Sequence, residues 1–226
     1  MTVMLLANVG NRDVGVTHET PIPGEANPIW NEDASMRALG REIRENWEAC
    51  QPHVSLPIIG KVVDHIFAKE GRIDRVILIA SDQSEVAGVS DRHLAQDTIE
   101  LAKVVRHRLV EVHGLPEASI TTWTVAQNPA DYGGMQAFFR ERLTALRAEE
   151  PEGRAYLEVS GGTPAMTSML LTVGAEVFGL DAYPRYVSQY EETPFQLDLG
   201  RQVVAESLQD VIRENAKLYA YHAAAR

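Results

Sequence analysis

Hydrophobic positions in this chain fall into short unbroken runs, separated by longer stretches in which they recur every three or four residues. The unbroken runs are Thr2–Val9, with Val3-Met4-Leu5-Leu6-Ala7 at its centre, then Arg75–Ala80, the β-branched Ser119–Ala126, and Ala155–Val159. Runs this short and this apolar predict strands of a parallel sheet covered on both faces. The periodic stretches predict helices. One runs from a cap at Asp33 to about Ala49, and a second from about Leu56 to Lys69 with the stripe Ile58, Ile59, Val62, Val63, Ile66 and Phe67. A long third covers Asp91–Val112, a fourth starts at Pro129-Ala130-Asp131-Tyr132 and ends near Glu149, and a fifth covers Ala165–Phe178. Asp181–Tyr190 and Phe195–Leu199 predict a further strand and a shorter hairpin partner, and Gln202–Arg226 is helical by pattern. Strands alternating with helices define an α/β class: a Rossmann-like, doubly wound, mainly parallel sheet with helices on both faces. The C-terminal hairpin and the last helix complete it. Residues 1–199 form the expected domain, and residues 200–226 a connector helix or a domain-closing one.

Three strand ends carry polar residues. The first opens into Asn8-Val9-Gly10-Asn11-Arg12-Asp13, the second into Ser81-Asp82-Gln83, and the fourth into Ser160-Gly161-Gly162-Thr163-Pro164-Ala165-Met166. In a doubly wound sheet the loops after the strand carboxyl ends line the ligand crevice, so all three share one edge. Thr163 is a good N-cap and Pro164 suits the first helical position. A helix N-terminus behind two glycines presents N–H groups and partial positive charge, which together make an anion cradle suited to phosphate. The same turn also serves ordinary αβ packing. Within the third helix, Asp97 and Thr98 are placed to reach back to the preceding loop or to stay solvated. Residues 14–32 contain three prolines and predict an irregular loop.

Composition narrows the partners. The 226 residues carry 21 basic and 32 acidic side chains, a net charge of −11, which counts against a protein that grips long DNA or RNA through clustered Lys and Arg. A small nucleotide held by N–H groups stays open. A single cysteine, Cys50, excludes an internal disulfide framework and a Cys-based zinc site. His93, His107 and His113 form no metal spacing and read as surface residues, so neither metal nor cofactor is expected. No apolar run is long enough to span a bilayer, and a cytoplasmic location follows by default.

The order and spacing of these pieces, with Gln96-Asp97-Thr98 and Asn128-Pro129-Ala130-Asp131-Tyr132, resemble the CRISPR-associated Rossmann-fold (CARF) domains of type III CRISPR ancillary effectors. The likeness spans about Met1–Leu199, and Gly161-Gly162-Thr163-Pro164-Ala165-Met166 is its specific part. The resemblance implies a homodimeric sensor that binds a cyclic oligoadenylate, an RNA ring, in one two-fold site and relays to a downstream effector. It implies ligand contacts at Asn8, Gly10, Asn11 and Arg12, at Ser81, Asp82 and Gln83, and at Ser160, Gly161, Gly162, Thr163 and Met166. A ring of four adenosines is favoured over six on family frequency. The alternative is a ring nuclease, in which a ribose 2′-OH attacks the adjacent phosphorus without metal. Asn11, Arg12 and Thr163 are then the catalytic candidates, with no histidine expected in the crevice. A dinucleotide-dependent enzyme is disfavoured, because the first strand lacks the Gly-x-Gly-x-x-Gly fingerprint. A CARF-linked transcription factor lacks the basic segment it needs.

Overall fold

The computed structural model of the chain describes residues 1–17, 35–188, 191, 193–197, 213 and 217. In order come β1 (Val3–Asn8), β2 (Gly15–Val16), α1 (Met36–Glu45), α2 (Trp47–Cys50), β3 (Val54–Ser55) and α3 (Ile59–Glu70). Then follow β4 (Arg75–Ser81), α4 (Asp91–Ala95), α5 (Ile99–His113), β5 (Ile120–Val125) and α6 (Tyr132–Glu149). Last are β6 (Arg154–Glu158), α7 (Pro164–Phe178), β7 (Ala182–Tyr186) and β8 (Phe195–Gln196). The main sheet has the order β5-β4-β1-β6-β7-β8, parallel except for the antiparallel β7–β8 hairpin. This is the Rossmann-like α/β layout that the pattern predicts.

The continuous apolar runs occupy the middle of the sheet because both of their faces are covered. All six residues of β1 are buried. Val3, Leu5, Ala7 and Val9 pack into the layer of α1, α3 and α5, while Met4 and Leu6 pack into the layer of α6 and α7. Burying a side chain such as Leu5 or Leu6 contributes about 1.5–3 kcal/mol. The chain winds from β1 outward through β4 to β5 with its helices on one face. It then returns on the other face through α6 to β6, on the far side of β1. The loops after β1 and β6 therefore lead to opposite faces, and a crevice opens between them at the carboxyl edge.

Several boundaries differ from the pattern. The first helix starts at Met36 behind the cap Ser35, whose side chain accepts the Ala38 N–H; Asp33 lies outside the described residues. This helix also ends at Glu45, and the short α2 carries the buried Cys50 at its end. The expected Asp91–Val112 helix is two helices, α4 and α5, broken at Gln96-Asp97-Thr98. Within the expected irregular loop, Gly15–Val16 pairs with Val54–Ser55 in a small antiparallel sheet. The connector helix lies outside the described residues apart from Arg213 and Lys217.

Candidate functional site

The turn between β6 and α7 is built by side chains that consume part of its backbone. Thr163 caps α7 from extended backbone (φ −76°, ψ 160°): its hydroxyl oxygen accepts the Met166 N–H at 3.2 Å and its O–H donates to the Pro129 carbonyl. Pro164 takes the first helical position. Gly162 has φ +81°, where a side chain would be strained. Below the turn, Glu158 accepts the Ser160 N–H at 2.5 Å and the Gly161 N–H at 3.2 Å. The Ser160 hydroxyl accepts the Val187 N–H at 2.7 Å. The first two amides of the turn thus face inward. Gly162 and Thr163, which line the crevice, have N–H groups with no protein partner among the described residues. The anion cradle is narrower than the sequence implies and sits on these two residues.

The loop after β1 meets this turn backbone to backbone. A Cβ at Gly10 would stand 2.5 Å from the Gly162 nitrogen, so no side chain fits there. The Gly10 N–H donates to Asp13 Oδ2 at 2.6 Å, which closes the loop on itself. Asn11 and Arg12 are exposed above it.

The opposite wall explains the broken helix. Ser81 and Thr98 exchange hydrogen bonds: each main-chain N–H donates to the other's hydroxyl oxygen at 3.1 Å. Gln83 donates to Asp97 through its main-chain N–H at 2.8 Å and its side-chain Nε2 at 3.1 Å. Arg37 of α1 donates from Nη2 to Asp82 at 2.6 Å and to Asp97 at 2.8 Å, and from Nε to the Leu94 carbonyl at 3.1 Å. Asp97 is fully buried, so these bonds offset its desolvation. A continuous helix would turn Asp97 and Thr98 away from β4.

Between the walls lies a crevice of about 330 Å³, at the lower end of the range for small-molecule sites. Of the residues expected from sequence, Gly10, Asn11, Ser81, Gln83, Gly162, Thr163 and Met166 line it. Five do not. Asn8 is buried beneath Gly162, Asp82 is turned to Arg37, and Ser160 and Gly161 face Glu158 and β7. Arg12 borders a neighbouring groove with Val14, Gly15 and Val16. Sequence reasoning missed His93, which lines the crevice beside Gln96 because α4 is set off from α5. It also left out Asn128, Pro129 and Ala130, which the Thr163 hydroxyl holds against the turn. Their placement in the loop after β5 was the available signal. His107 instead stacks on Trp47 at 4.3 Å between ring centroids, and His113 approaches Asp64 at 3.2 Å.

Beneath the crevice floor lie three buried polar groups. The Asn8 side chain has no hydrogen-bond partner among the described residues, and neither has Asp13 Oδ1. Burial raises the Asp13 pKa well above the usual carboxylate range, and the charge of Glu158 adds to this. Glu158 is pushed up to about 7 by burial, against the lowering effect of its bonds to Ser160 and Gly161 and of the Arg12 charge.

Fold and site together define a Rossmann-like α/β domain with a polar crevice at its topological switch point. The fold is similar to that of Enterococcus italicus Csm6, solved bound to cyclic hexa-2′-fluoro-hexa-dAMP. The two share 13% identity at a TM-score of 0.51, over 97% of this chain and 47% of that one. The chain thus spans about half the length of that solved protein. No family model matches the sequence, and no curated protein matches it. Among the described residues no helix is long and apolar enough to cross a membrane.

Proposed function

We propose that this chain is a sensor domain of a type III CRISPR antiviral effector that binds a cyclic oligoadenylate in the crevice between β1, β4 and β6. The observation that carries the reading is the capped α7 N-terminus, whose Gly162 and Thr163 line a crevice walled by Asn11, Gln83, Gln96 and Asn128 and have amides with no protein partner among the described residues. Amides at a helix N-terminus hold a phosphodiester without formal positive charge, which suits a chain of net charge −11. The exposed Asn11 offers a paired donor and acceptor of the kind that reads an adenine edge. The fold likeness to a Csm6 solved with a cyclic hexanucleotide analogue supports the same ligand class.

In this reading two copies join their crevices about a two-fold axis, so that a ring meets two helix N-termini at once. Occupancy is relayed to an effector in the full-length protein. The family resemblance favours a ring of four adenosines, whereas the Csm6 likeness brings in six. Calorimetry and thermal shift with cyclic tetra-adenylate and cyclic hexa-adenylate separate the two. Absence of heat and of any shift with both rings overturns the sensor reading.

His93 favours a second reading. A histidine in the crevice supplies a base for the 2′-OH attack that leaves a 2′,3′-cyclic phosphate, with Asn11, Arg12 and Thr163 as further candidates. Incubation of labelled ring with excess protein in EDTA tests this ring nuclease. Cleavage that disappears in His93→Ala supports it, and intact ring after hours removes it.

A further inference from the structure

We propose that Glu158 is the positioning residue of the anion-binding turn and that, with Asp13, it couples anion capture in the crevice to proton uptake. The proposal rests on the sensor reading only for the identity of the anion. Glu158 closes β6 fully buried, and its two carboxylate oxygens draw the Ser160 and Gly161 N–H groups inward. The Gly162 and Thr163 amides are left for the ligand. Asp13 performs the matching task in the other loop by accepting the Gly10 N–H.

The two carboxyls flank one glycine. A Cβ at Gly161 would stand 2.5 Å from Asp13 Oδ2 and 3.3 Å from Glu158 Oε2. Two buried carboxylates this close do not both ionise without strong compensation, so they retain a proton. The surrounding charges compensate in part. Arg12, from the same loop as Asp13, acts on both carboxyls but is exposed. Arg185 stands beside Glu158 in the β6–β7 register, with its guanidinium 5.3 Å from the centre of the Tyr156 ring. His65 of α3 lies within the field of Arg185 and of Lys69. The first turn of α7 holds no acidic side chain, and its last turn no basic one. Burial then keeps Glu158 protonated up to about pH 7, in accord with the geometry. A phosphodiester at Gly162 and Thr163 brings a further negative charge to the other side of the same turn. The pair answers by binding a proton, and by linkage anion affinity falls as pH rises through that range.

The test uses the full chain with cyclic tetra-adenylate and calorimetry in buffers of different ionisation enthalpy at pH 7.5. Wild type is expected to take up a fraction of a proton per site, with affinity falling by at most about tenfold per pH unit between pH 6 and 8. Glu158→Gln abolishes the uptake. Asp13→Asn, which leaves the bonds from Ser160 and Gly161 to Glu158 in place, reduces it. Buffer-independent enthalpy in wild type, or an unchanged pH profile in both variants, overturns the coupling. If no ring binds, the sensor reading fails, and infrared spectroscopy with inorganic phosphate as the probe still decides the coupling. A protonated-carboxyl band that titrates near pH 7, grows on phosphate addition and is missing in Glu158→Gln supports the proposal. A band absent from wild type, or unmoved by phosphate, overturns it.

Discussion

Replacing Arg37 by Ala removes one guanidinium on which three hydrogen bonds of the crevice wall converge: those to Asp82, Asp97 and the Leu94 carbonyl. Asp97 is fully buried and, among the described residues, keeps the two bonds from Gln83. Burial opposes the charged guanidinium, yet the bonds to Asp82 and Asp97 outweigh it and raise the Arg37 pKa. Asp82 shifts the opposite way: burial raises it, but Arg37 and Ser84 lower it further. Both directions mark a net attractive pair. Breaking a buried ion pair from one side destabilises by about 3–5 kcal/mol, because the remaining charge stays buried. The Arg37 and Asp82 side chains keep 20% and 27% of their surface in water, which places the expectation at the low end, about 3 kcal/mol. Urea denaturation of wild type, Arg37→Ala, Asp97→Asn and the double variant measures it. In a domain of this size the melting temperature should fall by about 6–12 °C. The double variant should be more stable than the sum of the single losses by at least about 1 kcal/mol, since neutralising Asp97 removes the unpaired charge. A loss under about 1 kcal/mol in Arg37→Ala, or strict additivity, would refute the reasoning.

Three further outcomes are expected. Thr163→Ala removes a helix cap and the bond to Pro129, for a loss of about 1–2 kcal/mol in chemical denaturation; ring affinity that fell no further than this loss explains would end its ligand role. Gly161→Ala places a Cβ against the Asn8 carbonyl and 2.5 Å from Asp13 Oδ2, so the turn must shift. A destabilisation above about 1 kcal/mol is expected, and a neutral effect on the melting temperature would contradict the packing. Glu158 also shapes stability against pH: its folded pKa of about 7 lies above its ordinary 4.5, so the native state holds a proton that the unfolded chain releases. The stabilisation is full below about pH 4.5, is lost as pH rises through about 7, and amounts to a few kcal/mol. Denaturation of wild type and Glu158→Gln from pH 4 to 8 should show the difference flattening above that window, and parallel curves would disprove it.

The central strands were legible because burial on both faces demands uninterrupted apolar residues, as in Val3–Ala7 and Val76–Ala80. The glycine turn and its Thr163 cap were legible for a local reason, since cap, proline and glycine act within a few residues. The break between α4 and α5 was not. Leu94, Thr98, Leu101 and Val105 keep helical spacing straight through it, and the interruption comes from Ser81, Gln83 and Arg37, remote in sequence. His93 entered the crevice by the same displacement. The inward turn of the Ser160 and Gly161 amides was hidden too, because Glu158 reads as one polar residue between Leu157 and Val159 in a buried strand.

The two helical layers have separate apolar clusters, divided by the sheet. The crevice is one place where side chains of both layers meet: Met166 and Thr163 come from the α7 side, Met36 and Thr98 from the α1 and α5 side. Anything seated there touches both layers at once. Its arrival would register as slower amide exchange in α1 and α5 as well as in α7, a joint rise in protection that a ligand held by one wall alone would not produce.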